Sequence, residues 1–289
     1  MVSVAQKTLL IIFLAFSFSI LAKVDNAKAK ATDFYKSENL LYKVSLNGIR
    51  IGDAVISYAP NKKDNTYKFF AKAETKGFMR NLYKINDTII VYGNITNQNL
   101  KPRTHSIILK ESSYRASRTA NTDYEFDLLT VKNNKKNTSE TFVLLDKAKD
   151  ILSTLYTLRF NTDLNSLKDS NVLKKTIQFA HKTVKNDIKI TGEYNFSLND
   201  KQTIKARNVL IKSKKVRLLP LNELKIKEIK NNDKKSADFL EESINNKKTY
   251  EYEQNIKVVI SSDDKKIPLI IEYVTKYGKF RAVLKDYSK

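Results

Sequence analysis

The sequence predicts a mainly β protein: a curved antiparallel sheet or half-barrel, possible as two coupled lobes, with one helix packed against it. Three observations carry this. Apolar residues recur with period two along most of the chain. Asn-Gly and Asn-Lys clusters punctuate these runs as turns do. The period becomes clearly helical in one compact stretch, KDILSTLYTLRF, residues 149–160.

The N-terminus precedes the sheet. Lys7 is the single charge before an uncharged run from Leu9 to Ala22, and Ala27 and Ala29 flank Lys28 in an A-x-A arrangement. This is the pattern of a secretory signal peptide over residues 1–29, with cleavage expected after Ala29 and Ala31 as the second choice. The apolar run falls short of the roughly 20 residues a spanning helix needs, and no later segment is apolar for long enough. An uncleaved anchor is the alternative.

The N-terminal lobe is expected over residues 30–145. Tyr42, Val44 and Leu46 alternate with polar residues, Asn47-Gly48 intervenes, and Ala54, Ile56 and Tyr58 alternate again. Both turn residues tolerate positive φ, so this is a type I′ hairpin signal. Gly52 marks a bulge or a close backbone approach. Tyr67, Phe69, Ala71 and Ala73 form the next face, and residues 77–83 read as a short helix or irregular link. Further strands are expected near Thr88–Tyr92, Arg103–Leu109, Tyr114–Thr119 and Tyr124–Val131, with a turn at residues 133–136.

A connecting helix follows over residues 146–160, with Ile151, Leu152 and Leu155 on its apolar side. Asp146 is the expected N-cap, and Arg159 suits the C-terminal end of the dipole. Asp150, Ser153, Tyr156 and Arg159 fall three apart, so they share a polar-aromatic stripe. The C-terminal lobe, residues 161–289, returns to strands near Thr176–Ala180, Val184–Glu193, Thr203–Lys212, Tyr250–Ser261, Ile267–Thr275 and Phe280–Leu284. Residues 222–248 are rich in Lys, Asn and Glu and read as an exposed insertion, partly helical over 236–243.

Composition narrows the function. With no cysteine there is no disulfide framework and no lipoprotein acylation site. His105 and His181 stand in no metal-ligand spacing, and no nucleophile elbow or phosphate loop occurs, so neither metal nor cofactor is expected. Nor do Asp263 and Asp264 make an acid-base pair, since neighbours on a strand point to opposite faces. The net charge of +22 comes from 44 lysines and only nine arginines. Lysine lacks the planar fork that reads bases or phosphates bidentately, so nucleic acid is not the expected partner. Anionic lipid headgroups, cell-wall polymer or an acidic envelope protein fit an exported basic chain better. The 14 phenylalanines and 15 tyrosines, on strands, form either a core ladder or the wall of a greasy cavity.

Three segments in order resemble the Domain of Unknown Function 3108 family. The first, LLYKVSLNGIRIGDAVISY, carries Tyr42, Val44, Gly48, Ile49 and Gly52. The helix block carries Asp150, Leu152, Ser153, Tyr156 and Arg159. The third, SSDDKKIPLIIEYVTKYGKFRAVL, carries Asp264, Pro268, Gly278, Ala282 and Leu284. The resemblance implies an exported bacterial β protein and supplies no catalytic residues. Val258 and Val259 stand where the family often has an aromatic, and the 222–248 insertion is longer than usual.

Three functions compete. A non-enzymatic periplasmic protein would bind an amphipathic or lipid-like molecule, with Tyr156 and Arg159 forming a polar clamp at the rim of the sheet and Tyr42 a further ligand-binding candidate. A packed scaffold or interaction module would contact cell-wall polymer or another protein. A glycan or lipid hydrolase needs a nucleophile-base pair that the sequence does not display. Arg159 is expected to pair with a carboxylate on a strand, Asp264 being the candidate.

Overall fold

The computed structural model describes residues 33–97, 99–161, 172–179, 182–198, 202–216, 254–263, 265–275 and 278–288. The expected cleavage sites at Ala29 and Ala31, together with His181, residues 222–248 and Asp264, lie outside them.

Fifteen strands form one sheet. In chain order they are β1 (Glu38–Leu46), β2 (Ile49–Asn61), β3 (Thr66–Thr75), β4 (Asn86–Thr96), β5 (Asn99–Glu111), β6 (Tyr114–Asp123), β7 (Leu128–Asn133) and β8 (Thr138–Val143). There follow β9 (Lys149–Asp150), β10 (Val172–Phe179), β11 (Lys182–Leu198), β12 (Gln202–Val216), β13 (Gln254–Ser261), β14 (Pro268–Thr275) and β15 (Gly278–Ser288). Among the described residues two α-helices interrupt them, α1 (Met79–Leu82) and α2 (Ile151–Asn161).

The spatial order runs from β8 back to β1, then from β15 back to β9. One long meander therefore closes on itself where the first strand pairs antiparallel with the last, Val44 opposite Ala282. The edges β8 and β9 do not pair with each other, so the sheet stays open. Among the described residues all ladders are antiparallel except the two-residue β9–β10 pairing.

Period two decides which face is buried. Along β3 the buried residues are Tyr67, Phe69, Ala71, Ala73 and Thr75, and the residues between them are only partly covered or exposed. The Asn47-Gly48 hairpin forms as its sequence requires, with φ of 49° and 82°. At Gly52 both expectations hold. The β1–β2 register shifts between Val44 and Ser45, and a Cβ on Gly52 would lie 2.1 Å from the Glu74 carbonyl oxygen. Such bulges bend a sheet, and others occur on β4, β11 and β13.

Curvature follows from what α2 touches. Eleven residues of helix span roughly 16 Å, yet α2 bonds to side chains on β1 and β3, while β9, which leads directly into it, bonds through Lys149 to Asn99 on β5 and pairs with β10 at the far edge. Strands from both wings reach one short helix because the sheet wraps round it.

Three expectations are corrected. The helix begins at Ile151, since Leu145–Lys147 form a 3-10 turn and Lys149–Asp150 are drawn into pairing with β10. Asp146 takes a left-handed φ of 51°, and Asp150 is the cap instead. Tyr124 stands in a turn rather than a strand, because the Asp123 carboxylate accepts from the backbone N–H groups of Glu125 and Phe126. The strand β8 went unforeseen because Phe142 is its single buried residue, which leaves no alternation to detect.

Candidate functional site

The Asp150 Oδ1 accepts from the N–H groups of Leu152 (2.9 Å) and Ser153 (3.1 Å), which starts α2. The apolar side of the helix, Ile151, Leu152 and Leu155, is buried as its spacing predicted. The polar stripe is buried too, and beyond the capping Asp150 its members Ser153, Tyr156 and Arg159 each find a partner on the surrounding sheet. Ser153 Oγ lies 2.7 Å from the Tyr67 hydroxyl. The Tyr156 hydroxyl donates to Glu38 Oε1 at 2.5 Å. Arg159 forks onto the same carboxylate, Nη1 to Oε1 at 2.5 Å and Nη2 to Oε2 at 2.8 Å, and Nη2 also reaches the Lys265 carbonyl.

The partner of Arg159 is thus Glu38 on β1, a strand residue that sequence spacing gave no reason to select. Tyr42, the further ligand-binding candidate, is turned inward, its hydroxyl donating to the Pro268 carbonyl at 2.9 Å. Tyr42, Tyr156 and Arg159 are all buried, so the expected clamp at an open mouth is corrected to an internal polar knot. Burial disfavours charge on Arg159, but the Glu38 carboxylate outweighs it and holds the guanidinium cationic. Burial, with Glu38 adding to it, keeps the Tyr156 phenol neutral.

Aromatic rings fill the space beside this knot. Tyr156 packs on Phe69 with centroids 4.5 Å apart and on Tyr58 at 5.0 Å, and Phe160 meets Phe34 at 4.7 Å. The Arg159 guanidinium stacks over the Tyr156 ring at 4.6 Å. Here the aromatic supply forms a core around α2, the first of the two arrangements its periodicity allowed.

A second site opens on the other side of the helix. Between α2 and the faces of β10–β12 lies a polar cavity of about 660 Å³, walled by Lys149, Thr154, Thr157, Lys175, Asn186 and Ser213. Six lysines line it in all, against the two carboxylates of Asp146 and Asp187. Lys149 enters it from β9, held by Asn99 Oδ1 on β5 and by Thr157 Oγ1 at 3.3 Å. Asn186 is fixed by donating to the Lys175 and Val184 carbonyls and accepting from Ser213 Oγ at 2.7 Å. Burial pulls Lys149 down to about 8, with the Lys175 charge adding to the effect, and burial also lowers Lys175. Neither lysine forms an ion pair with a carboxylate among the described residues. Two cations in a confined polar space, each costly to charge, are stabilised by an incoming anion. Sequence reasoning missed this site because Lys149 and Lys175 belong to strands that meet only in the parallel β9–β10 pairing. Among the described residues no cluster of His, Asp and Glu could hold a metal.

Comparison with known proteins gives a family and a fold. A family model described as "Protein of unknown function (DUF3108)" matches residues 41–285. No curated protein matches the chain. Among solved structures, the chain resembles the crystal structure of a β-barrel-like protein of domain of unknown function DUF1849 from Brucella abortus. The TM-score is 0.51 at 9% identity, covering 88% of this chain and 98% of that one, so the likeness concerns the fold alone.

Proposed function

The chain belongs to the DUF3108 family of proteins of unknown function, and from that premise we propose that it is a non-enzymatic periplasmic envelope protein binding the anionic, polar part of an envelope molecule. A signal-peptide pattern over residues 1–29 supports export. The observation that carries the ligand class is the polar cavity with Lys149 and Lys175 in its wall and no carboxylate paired to either. Its volume lies within the range of small-molecule sites. Its chemistry favours a phosphate- or carboxylate-bearing group over an acyl chain, because the apolar interior beside α2 is taken up by aromatic rings. Of the lipid-like molecules first considered, the headgroup rather than the tail suits this site.

The test is native mass spectrometry of protein purified gently from its own periplasm, followed by calorimetric titration with inorganic pyrophosphate. We expect a co-purifying anionic ligand, micromolar pyrophosphate binding, and loss of both in Lys149→Met/Lys175→Met with the thermal midpoint kept. Undiminished binding by that variant would overturn the reading. A hydrolase reading has one observation in its favour, the Lys149 amine 3.3 Å from the Thr157 hydroxyl, a pairing related to Ser-Lys nucleophilic dyads. Turnover of ester substrates that vanishes in Thr157→Val would select it.

A further inference from the structure

The end of the sheet opposite α2 is built differently from the end the helix occupies. Three of the connections at this end are neighbours: the β1–β2 hairpin, the β3–β4 link carrying α1, and the β14–β15 hairpin. The register places them together. The Asn47 N–H donates to the Lys279 carbonyl at 2.9 Å, and the Lys76 N–H donates to the Ile51 carbonyl at 3.0 Å. From these connections large apolar side chains stand out into solvent: Ile49 is 66% exposed, Phe78 72%, Leu82 63% and Val274 67%. Phe78 and Leu82 sit one helical turn apart on α1, so they present together.

The charge around them is one-sided. Residues 46–52, 75–86 and 273–281 contain no Asp or Glu, and they contain seven Lys or Arg. Arg50, Lys76 and Lys279 bridge to Asp53 and Glu272 further down the strands. Arg80 and Lys84, beside Phe78 and Leu82, are exposed and form no ion pair among the described residues. Connections at the opposite end mix both signs, with Asp64, Asp123, Glu125, Asp127 and Asp263 beside Lys62, Lys63, Lys265 and Lys266. These three connections therefore form an apolar tip flanked by cations and free of carboxylates.

We propose that this tip docks the protein on an anionic lipid bilayer, with Ile49, Phe78, Leu82 and Val274 entering the interface and Arg80 and Lys84 meeting headgroup phosphates. Exposed apolar side chains interleaved with basic ones and free of acids have the chemistry of interfacial anchors. Long basic side chains keep their charge at headgroup level while their stems line the apolar layer. A protein partner would be expected to answer lysines with carboxylates but gives no reason for separated apolar side chains at three neighbouring connections and the strand ends beside them. A bilayer takes up apolar side chains without a matching pocket for each. The tip is distinct from the α2 cavity and stands independently of the ligand assigned there.

The experiment is cosedimentation with vesicles of phosphatidylcholine alone or mixed with phosphatidylglycerol. We expect binding to the anionic vesicles that weakens as salt is raised. Phe78→Ser/Leu82→Ser and, separately, Arg80→Glu/Lys84→Glu should each weaken it at least about tenfold. Both pairs are exposed, so thermal midpoints should match the parent; if the serine pair fails to fold, the charge-reversal pair still decides. Lys149→Met/Lys175→Met should bind vesicles as the parent does, which separates this test from that of the cavity. Absence of binding, equal binding to neutral vesicles, or unchanged binding by both variant pairs would overturn the proposal.

Discussion

Replacing Glu38 by Gln keeps the size of the side chain and removes its charge, which isolates what the carboxylate does for Arg159. The Arg159 side chain is 1% exposed and that of Glu38 9%, so water cannot substitute for the lost partner. Two charge-assisted hydrogen bonds converge from the guanidinium and a third comes from Tyr156. Without the carboxylate, Arg159 retains the Lys265 carbonyl at 3.1 Å and the stacking on Tyr156, while its Nε is already buried without an acceptor. Breaking such a pair by removing one member costs about 3–5 kcal/mol, because the other charge remains buried. For a chain of this length that corresponds to a fall in thermal midpoint of roughly 10 °C.

A double-mutant cycle with Glu38→Gln, Arg159→Gln and both together, followed by equilibrium urea unfolding, measures the coupling. Either single change should cost about 3–5 kcal/mol. The double should fall short of the sum by about 2–3 kcal/mol, because it leaves no stranded ion. Singles costing under about 1 kcal/mol, or strictly additive effects, would refute the assignment of this pair as a structural element. Stability left intact in Arg159→Gln with loss of anion binding would instead assign the arginine to a ligand.

Leu155→Ala deletes buried side chain from the centre of α2 and should cost about 2–5 kcal/mol in urea unfolding; Leu155 is fully buried. Asp87 and Glu111 are buried neighbours, and burial with their mutual repulsion raises the Glu111 carboxyl well above its ordinary 4.5. A raised folded value stabilises below the unfolded one, so stability should decline as pH climbs above 4.5 towards the alkaline range, and Glu111→Gln should flatten that decline. His105 is buried with neither ring nitrogen bonded, and burial pushes it down from 6.5 to about 4. A depressed folded value favours the native state above the unfolded one, so stability should fall as pH drops from 6.5 towards 4, by roughly 3 kcal/mol at most. Thermal scans of His105→Leu should lack that acid-side loss.

Much of the framework was legible before any coordinates, because it depends on neighbours in the chain. Alternation across two residues places Tyr67, Phe69 and Ala71 on one face whatever lies opposite. Asn47-Gly48 turns because both residues accept positive φ, and a 3.6-residue period marks Ile151, Leu152 and Leu155 as the buried side of a helix. Even the need of Arg159 for a strand carboxylate follows from the cost of a buried charge. Which carboxylate answers it does not. Glu38 and Arg159 are 121 residues apart, and they meet because the sheet curls until β1 lies over the C-terminal turn of α2. The cap shifted from Asp146 to Asp150 for a similar reason, since pairing of β9 with β10 holds Lys149 and Asp150 extended until the helix begins. Lys149 and Lys175 illustrate the same limit, harmless surface lysines by local pattern and neighbouring cations once two strands align. Local periodicity sets which face a residue occupies, but long-range register and curvature decide what that face meets.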